Sequence, residues 1–227
     1  MSHPGSIVVL LGTDLKKCTY ETMHALYVVV NDGYYRNNIK FKILKSKRIS
    51  SVDNFSGDLG FHSHPELSAL FLYFEGDLMD DSAFDAKKYE GYKWYTPKKD
   101  VSTLPNFIKQ NSIFGTVGYK PHHHYTDNKH FEVTAFTSFK PNVGTFLLPL
   151  TEKYFATLFE VKQYIVEIIV EHNLVSYYSK KHNYIETART CVATEDDRVA
   201  IGLTRSFDAE PFTLSTMIKD WNRTQFF

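Results

Sequence analysis

Several classes of protein are excluded by what this chain of 227 residues lacks. Net charge is absent, since 26 Lys and Arg balance 26 Asp and Glu. A neutral chain has no global field to gather nucleic acid or an anionic membrane surface, and no self-repulsion to keep crowded copies apart. No apolar run approaches the ~20 residues that span a bilayer, and the first residues lack the basic-then-apolar order of a secretion signal. The chain is therefore expected inside the cell that makes it. Only two cysteines occur, Cys18 and Cys191, enough for one disulfide at most and for no paired metal spacing. Two reduced thiols are the expectation, and Cys191 has no catalytic signature around it. Walker-type phosphate loops, Gly-x-Gly-x-x-Gly turns and Gly-x-Ser-x-Gly elbows are missing. Asp80-Asp81 and Asp196-Asp197 are adjacent rather than opposed, the wrong arrangement for glycoside hydrolysis. Lys45-Ser-Lys-Arg48 is too short a basic cluster to bind nucleic acid in a neutral protein.

What is present is aromatic. Phe occurs 18 times and Tyr 15 times against two Trp, and the hydrophobic share of 43% supports a packed core. Strand-like runs follow one another: Ser6–Leu11, Ala25–Val30, a turn at Asn31-Asp-Gly33, alternating Ile39–Ile43, Leu70–Phe74, His130–Phe139, a turn at Lys140–Gly144, then Thr145–Leu148. From Asp77 to Gln110 the chain is charged and carries Pro97 and Pro105, which reads as a surface excursion pinned by its aromatics. Thr151 is a candidate N-cap with Glu152 in the first turn. Phe155, Leu158, Val161, Ile165, Ile168 and His172 follow at helical steps, predicting one long helix over 152–172. Phe212, Leu214, Met217, Ile218 and Trp221 suggest a second, C-terminal helix. The expected fold is α+β and mainly β: an antiparallel β-sandwich over 1–207 with one long packed helix, followed by an amphipathic helical tail over 208–227.

Histidines are the first candidates for chemistry. His62-Ser-His64-Pro65 resembles the zinc-binding His-x-His-Pro of JAMM-type isopeptidases, with Asp77 at plausible range, although Phe74 stands where that family has a serine. His122 and His124 share one face of a strand, and His130 could join them across a turn. A zinc-dependent hydrolase using His62 and His64, or the His122–His130 cluster, is thus one alternative reading. A non-catalytic β-sandwich interaction module is another.

The order of segments from 115 to 205 carries a further likeness. Gly115-Thr-Val-Gly-Tyr119, the histidine cluster, the long helix pattern, His182-Asn-Tyr-Ile185 and Val199-Ala-Ile-Gly-Leu-Thr-Arg205 follow one another. This succession resembles the polyhedrins of cypoviruses. The resemblance implies a non-enzymatic occlusion-body matrix protein that forms trimers, crystallises in the host cytoplasm around virus particles and dissolves in alkali. It implies no membrane and no specific nucleic acid as partner, no metal and no required cofactor, with room for a nucleotide between subunits. Phenols ionise near pH ~10, so Tyr89, Tyr92, Tyr95, Tyr119, Tyr125, Tyr177 and Tyr178 are the candidate alkali-sensitive contacts. The amphipathic N-terminal arm of that family is missing, and the tail built on Phe212 to Trp221 is expected to replace it by docking on a neighbouring subunit.

Overall fold

The computed structural model describes residues 5–78, 82–98, 104–110, 112–201 and 208–221. Its centre is one nine-stranded mixed sheet. In chain order the elements are β1 (Gly5–Leu11), α1 (Gly12–Leu15), α2 (Tyr20–Phe41), α3 (Val52–Asp58), β2 (Ala69–Glu75), β3 (Phe84–Tyr89) and β4 (Tyr92–Pro97). There follow α4 (Leu104–Gln110), β5 (Ile113–Pro121), β6 (His130–Ser138), α5 (Val143–Leu158), β7 (Gln163–Ile169), α6 (Val175–His182), β8 (Ile185–Val192), α7 (Glu195–Ala200) and β9 (Phe212–Asp220). The strand order is β3-β4-β1-β2-β5-β6-β7-β9-β8. Most neighbours are antiparallel, but β1 and β4 run parallel, as do β6 and β7.

Helices cover both faces, which explains the continuous apolar runs at β1 and β2. Ile7 and Val9 point into one core with Leu147, Tyr154 and Phe155 of α5. Val8 and Leu10 point the other way, into a core with Met23, Leu26 and Val30 of α2, Phe55 of α3 and Phe107 of α4. The expected β-sandwich with a single long helix is therefore corrected to a helix–sheet–helix arrangement.

Four local expectations are corrected with it. Ala25–Val30 and Ile39–Phe41 lie within the 22-residue helix α2, which Thr19 caps by accepting from the Thr22 amide. Asn31-Asp-Gly33 is helix interior rather than a hairpin turn. Gly33 is needed there because α2 crosses β6 so closely that a Cβ would sit 2.4 Å from the Thr137 side chain. The 77–110 excursion contributes β3 and β4 to the sheet, as well as α4.

The expected helix over 152–172 is two elements. Helix α5 begins at Val143 and ends at Leu158, where Phe159 is extended, and β7 follows at Gln163. Thr151 is not an N-cap: it is fully buried inside α5, bonded to the Leu147 carbonyl at 2.9 Å and the Tyr119 hydroxyl at 2.7 Å. Phe212 to Asp220 is no helical tail but the strand β9, inserted between β7 and β8 with Phe212 and Met217 buried. Leu214 and Ile218 pair there with Ile169 and Ile165, and Trp221 closes over Tyr164. Of the segment 199–205, Val199 and Ala200 end the helix α7 and residues 202–205 lie outside the described residues, as do Asp80-Asp81 and 222–227 of the tail. Among the described residues no helix is long and apolar enough to cross a membrane.

Candidate functional site

Between β6 and β7 the sheet forks. The two parallel strands share only three register pairs, His130 with Gln163, Phe131 with Tyr164 and Glu132 with Ile165. Beyond Glu132 they part. A bulge drives the divergence: the register of β5 against β6 slips between Thr116 and Gly118, and Ala135 takes a left-handed backbone at φ +46°. Val133, Thr134 and Phe136 of β6 and the residues from Val166 to Ile169 of β7 thus line a cavity of about 380 Å³. It opens through the sheet, because its walls include Tyr34, Asn37 and Asn38 of α2 and also Tyr178 of α6, which cover opposite faces.

One end of the cavity is apolar, with Val133, Phe136, Val166, Ile168, Leu174, Phe212 and Leu214. The other end carries charge in pairs. Arg48 lies 3.5 Å from Asp58, Lys120 3.3 Å from Glu132, and His122 3.8 Å from Glu167. The last is an ion-pair separation rather than a hydrogen bond, and leaves the buried His122 Nε2 without a hydrogen-bonding partner. Thr134 donates to Asp58 at 3.4 Å.

The environment tunes these groups in different directions. Burial pushes the Glu132 carboxyl up, against the pull of Lys120. Burial would also raise Glu167, but the imidazoles of His122, His123 and His124 outweigh it and hold that carboxyl below its ordinary range. Burial pushes the Tyr34 phenol up to about 12 although Arg48 opposes the shift, and raises Tyr178 further still. The cavity therefore combines a carboxylate of raised basicity with phenols that keep their protons.

A second, polar groove of about 600 Å³ lies beside the charged end, lined by Gly57, Gly60, Ser63, His64, Pro121, Tyr125, Thr126 and Asn128 together with Lys120, His122 and His123. A third polar cluster lies largely within the core. Glu152 is fully buried in α5, salt-bridged to Lys219 of β9 and accepting from the Tyr184 hydroxyl at 2.6 Å. His182 is nearby, 2% exposed, with neither ring nitrogen hydrogen-bonded.

The residues singled out in the sequence scatter over this frame. Tyr95, Tyr119 and Tyr178 are core residues, Tyr89, Tyr92 and Tyr177 are half-buried against the core, and only Tyr125 stands exposed, stacked 3.9 Å from His130. All of them but Tyr125 pack in or against the core. His62 is exposed, and His64 lies 3.8 Å from Glu66. Asp77 accepts from Lys93 at 2.7 Å, and His130 is engaged by Asp127 at 2.8 Å. Among the described residues no group of three or more His, Cys, Asp and Glu side chains is placed to hold a metal ion. Cys18 and Cys191 are both free thiols. Sequence reasoning passed over Glu132, Glu167, Asp58, Arg48 and Tyr34, because the fork that joins them is a property of strand pairing.

Comparison with known proteins replaces the viral reading. The family model of the Sporulation protein RMD6 family matches residues 1–221, and the chain belongs to that family. The Sporulation protein RMD6 of Saccharomyces cerevisiae is 29% identical over 227 residues, covering 96% of each chain. Solved structures share the fold at low identity. A ribosomal-protein-S5-alanine acetyltransferase from Vibrio fischeri superposes with a TM-score of 0.53 at 9% identity, covering 98% of this chain and 96% of that one. A spermidine N-acetyltransferase from Vibrio cholerae in complex with CoA and spermine gives 0.52 at 9%, over 94% and 95%. A putative acetyltransferase from Salmonella typhimurium with its cofactor acetyl-CoA gives 0.52 at 8%, over 96% and 95%. The fold is that of acetyltransferases. The polyhedrin likeness is thereby overturned, and with it the trimeric lattice, the virus particles as partners and the occlusion body as location. The sequence's alternatives stood nearer than the matrix protein did.

Proposed function

We propose that this chain is an acyltransferase that binds an acyl-coenzyme A thioester in the fork between β6 and β7 and passes the acyl group to an amine. The observation that carries the reading is the fork itself. Where β6 and β7 part, their facing backbone edges lose their ladder partners, and such an edge suits an extended ligand that carries amides, as the coenzyme's arm does. Val133, Thr134, Val166 and Ile168 would flank that arm. The amino end of α5, eight residues beyond the bulge at Ala135, offers the positive end of a 16-residue helix to an anionic group. Two fold neighbours were solved with CoA or with acetyl-CoA, which supports a nucleotide-containing cofactor here.

When bound, the thioester would supply an activated acyl group. The side chains supply the proton handling. An amine arrives as an ammonium and must lose a proton before it can attack; Glu132 stands in the cavity with its basicity raised by burial and is the base for that step. Tyr34 and Tyr178 line the same cavity and keep their protons at neutral pH, so either can offer a hydrogen bond to a departing thiolate, whose own proton then comes from solvent. Paired charges at Arg48–Asp58 and Lys120–Glu132 hold the polar end in place.

Titration calorimetry of the purified chain with acetyl-CoA tests the reading. Saturable binding of one acetyl-CoA per chain is expected, together with release of CoA when amines are offered. Glu132→Gln should keep acetyl-CoA binding and lose on the order of a hundredfold or more in kcat. No measurable acetyl-CoA binding by the wild-type chain sinks the proposal.

A further inference from the structure

The groove lies beside the fork and shares part of its lining. Lys120 and His123 line both the fork cavity and the groove, so the two spaces are neighbouring parts of one passage. Their linings differ in charge. Three carboxylates, Asp58, Glu132 and Glu167, stand in the fork cavity. The described residues that line the groove include no carboxylate: they are glycine backbone, hydroxyls of Ser63, Tyr125 and Thr126, the Asn128 amide, imidazoles and the Lys120 ammonium.

Resting on the acyltransferase reading, we propose that the acceptor is a molecule with a single ammonium group, held in the fork, whose remainder is uncharged, hydrogen-bonding and extended, and lies in the groove. The free amino end of a peptide with neutral side chains has this chemistry. Its ammonium meets the carboxylates, and its following amides meet the hydroxyls, imidazoles and backbone of the groove. A polyamine does not fit: each further ammonium along its length would enter a space holding Lys120 and imidazoles, with no anion among the described lining residues to offset its lost hydration.

Two positions allow the groove to be altered without touching the fork. Gly57 lies on the groove wall in α3, is exposed, and an added Cβ would meet nothing within 4 Å. Leucine there occupies open space, and in a helix it is favoured over glycine. Ser63 is exposed on the same wall.

The test uses the full chain, acetyl-CoA, a neutral alanine–serine tetrapeptide with a free amino terminus, and spermidine. Wild type should acetylate the tetrapeptide with a kcat/KM on the order of a hundredfold above that for spermidine. Gly57→Leu should bind acetyl-CoA as wild type does while its KM for the tetrapeptide rises on the order of tenfold. Ser63→Asp places an anion in the groove and should raise kcat/KM for spermidine on the order of tenfold. Failure of wild type to bind acetyl-CoA overturns the acyltransferase reading and this inference with it. Acetyl-CoA binding accompanied by spermidine turnover equal to or above that of the tetrapeptide, by no turnover of the tetrapeptide, or by an unchanged tetrapeptide KM in Gly57→Leu overturns the groove inference alone.

Discussion

His182 is an imidazole sealed in the structure without a hydrogen bond at either nitrogen. Burial, reinforced by the nearby Lys219 charge, lowers its pKa from 6.5 to about 4. In the unfolded chain it takes a proton near 6.5, whereas the folded chain refuses one until about 4. Its neutral form therefore contributes stability in full above pH 6.5, and that contribution is lost as the pH falls toward 4. Unfolding free energies of wild type from denaturant titration should decline over this window by an amount on the order of 3 kcal/mol attributable to this residue, and His182→Phe should flatten the decline. An equal slope in the variant would refute the assignment. The importance of this histidine was hidden in the sequence, since His182-Asn-Tyr-Ile185 gives no sign of burial. Glu152 misled in the same way: a glutamate after a threonine near a helix start reads as a first-turn anion, whereas it is a core charge whose partner, Lys219, is 67 residues away.

At the scale of elements, the Glu152–Lys219 pair ties α5 to β9 across the core, with Tyr184 of the loop before β8 as a third member. Removing one partner strands the other. Lys219→Met should cost about 3–5 kcal/mol in urea unfolding, and Glu152→Gln combined with Lys219→Met should recover most of it. A double variant as unstable as the single one would mean that the pair contributes through packing rather than charge.

The sequence made β1, β2 and β6 legible because β-branched and aromatic runs bounded by turn residues have few other uses. It misassigned α2, where Tyr27-Val-Val-Val30 and Asn31-Asp-Gly33 favour a strand and a turn locally. Burial of Met23, Leu26, Tyr27 and Val30 along one side outweighs that preference. It fused α5 with β7 because a strand buried on both faces is apolar at every step, so helical spacing can be traced through it as well. The extended Phe159 marks the end of α5 only once the strand is known, and Pro149, which reads as a helix start, lies inside α5.

Over the whole molecule, the six strands from β3 to β6 and the three from β7 to β8 meet along a seam of three register pairs. Hydrogen exchange should find the amides of Val133–Phe136 and Val166–Ile169 less protected than those of β1 and β2, and acetyl-CoA should raise their protection. Equal protection on both sides of the seam, with or without acetyl-CoA, would contradict this. The fork was the part of the site least legible in the sequence, since it depends on a bulge at Ala135 and a crossover through α5 rather than on any run of residues. A ligand in that opening touches both blocks at once. Bound only by the folded chain, it would add about 2.7 kcal/mol at a hundredfold excess over its Kd. With acetyl-CoA as that ligand, the amount of intact protein in a cell would follow the supply of the thioester.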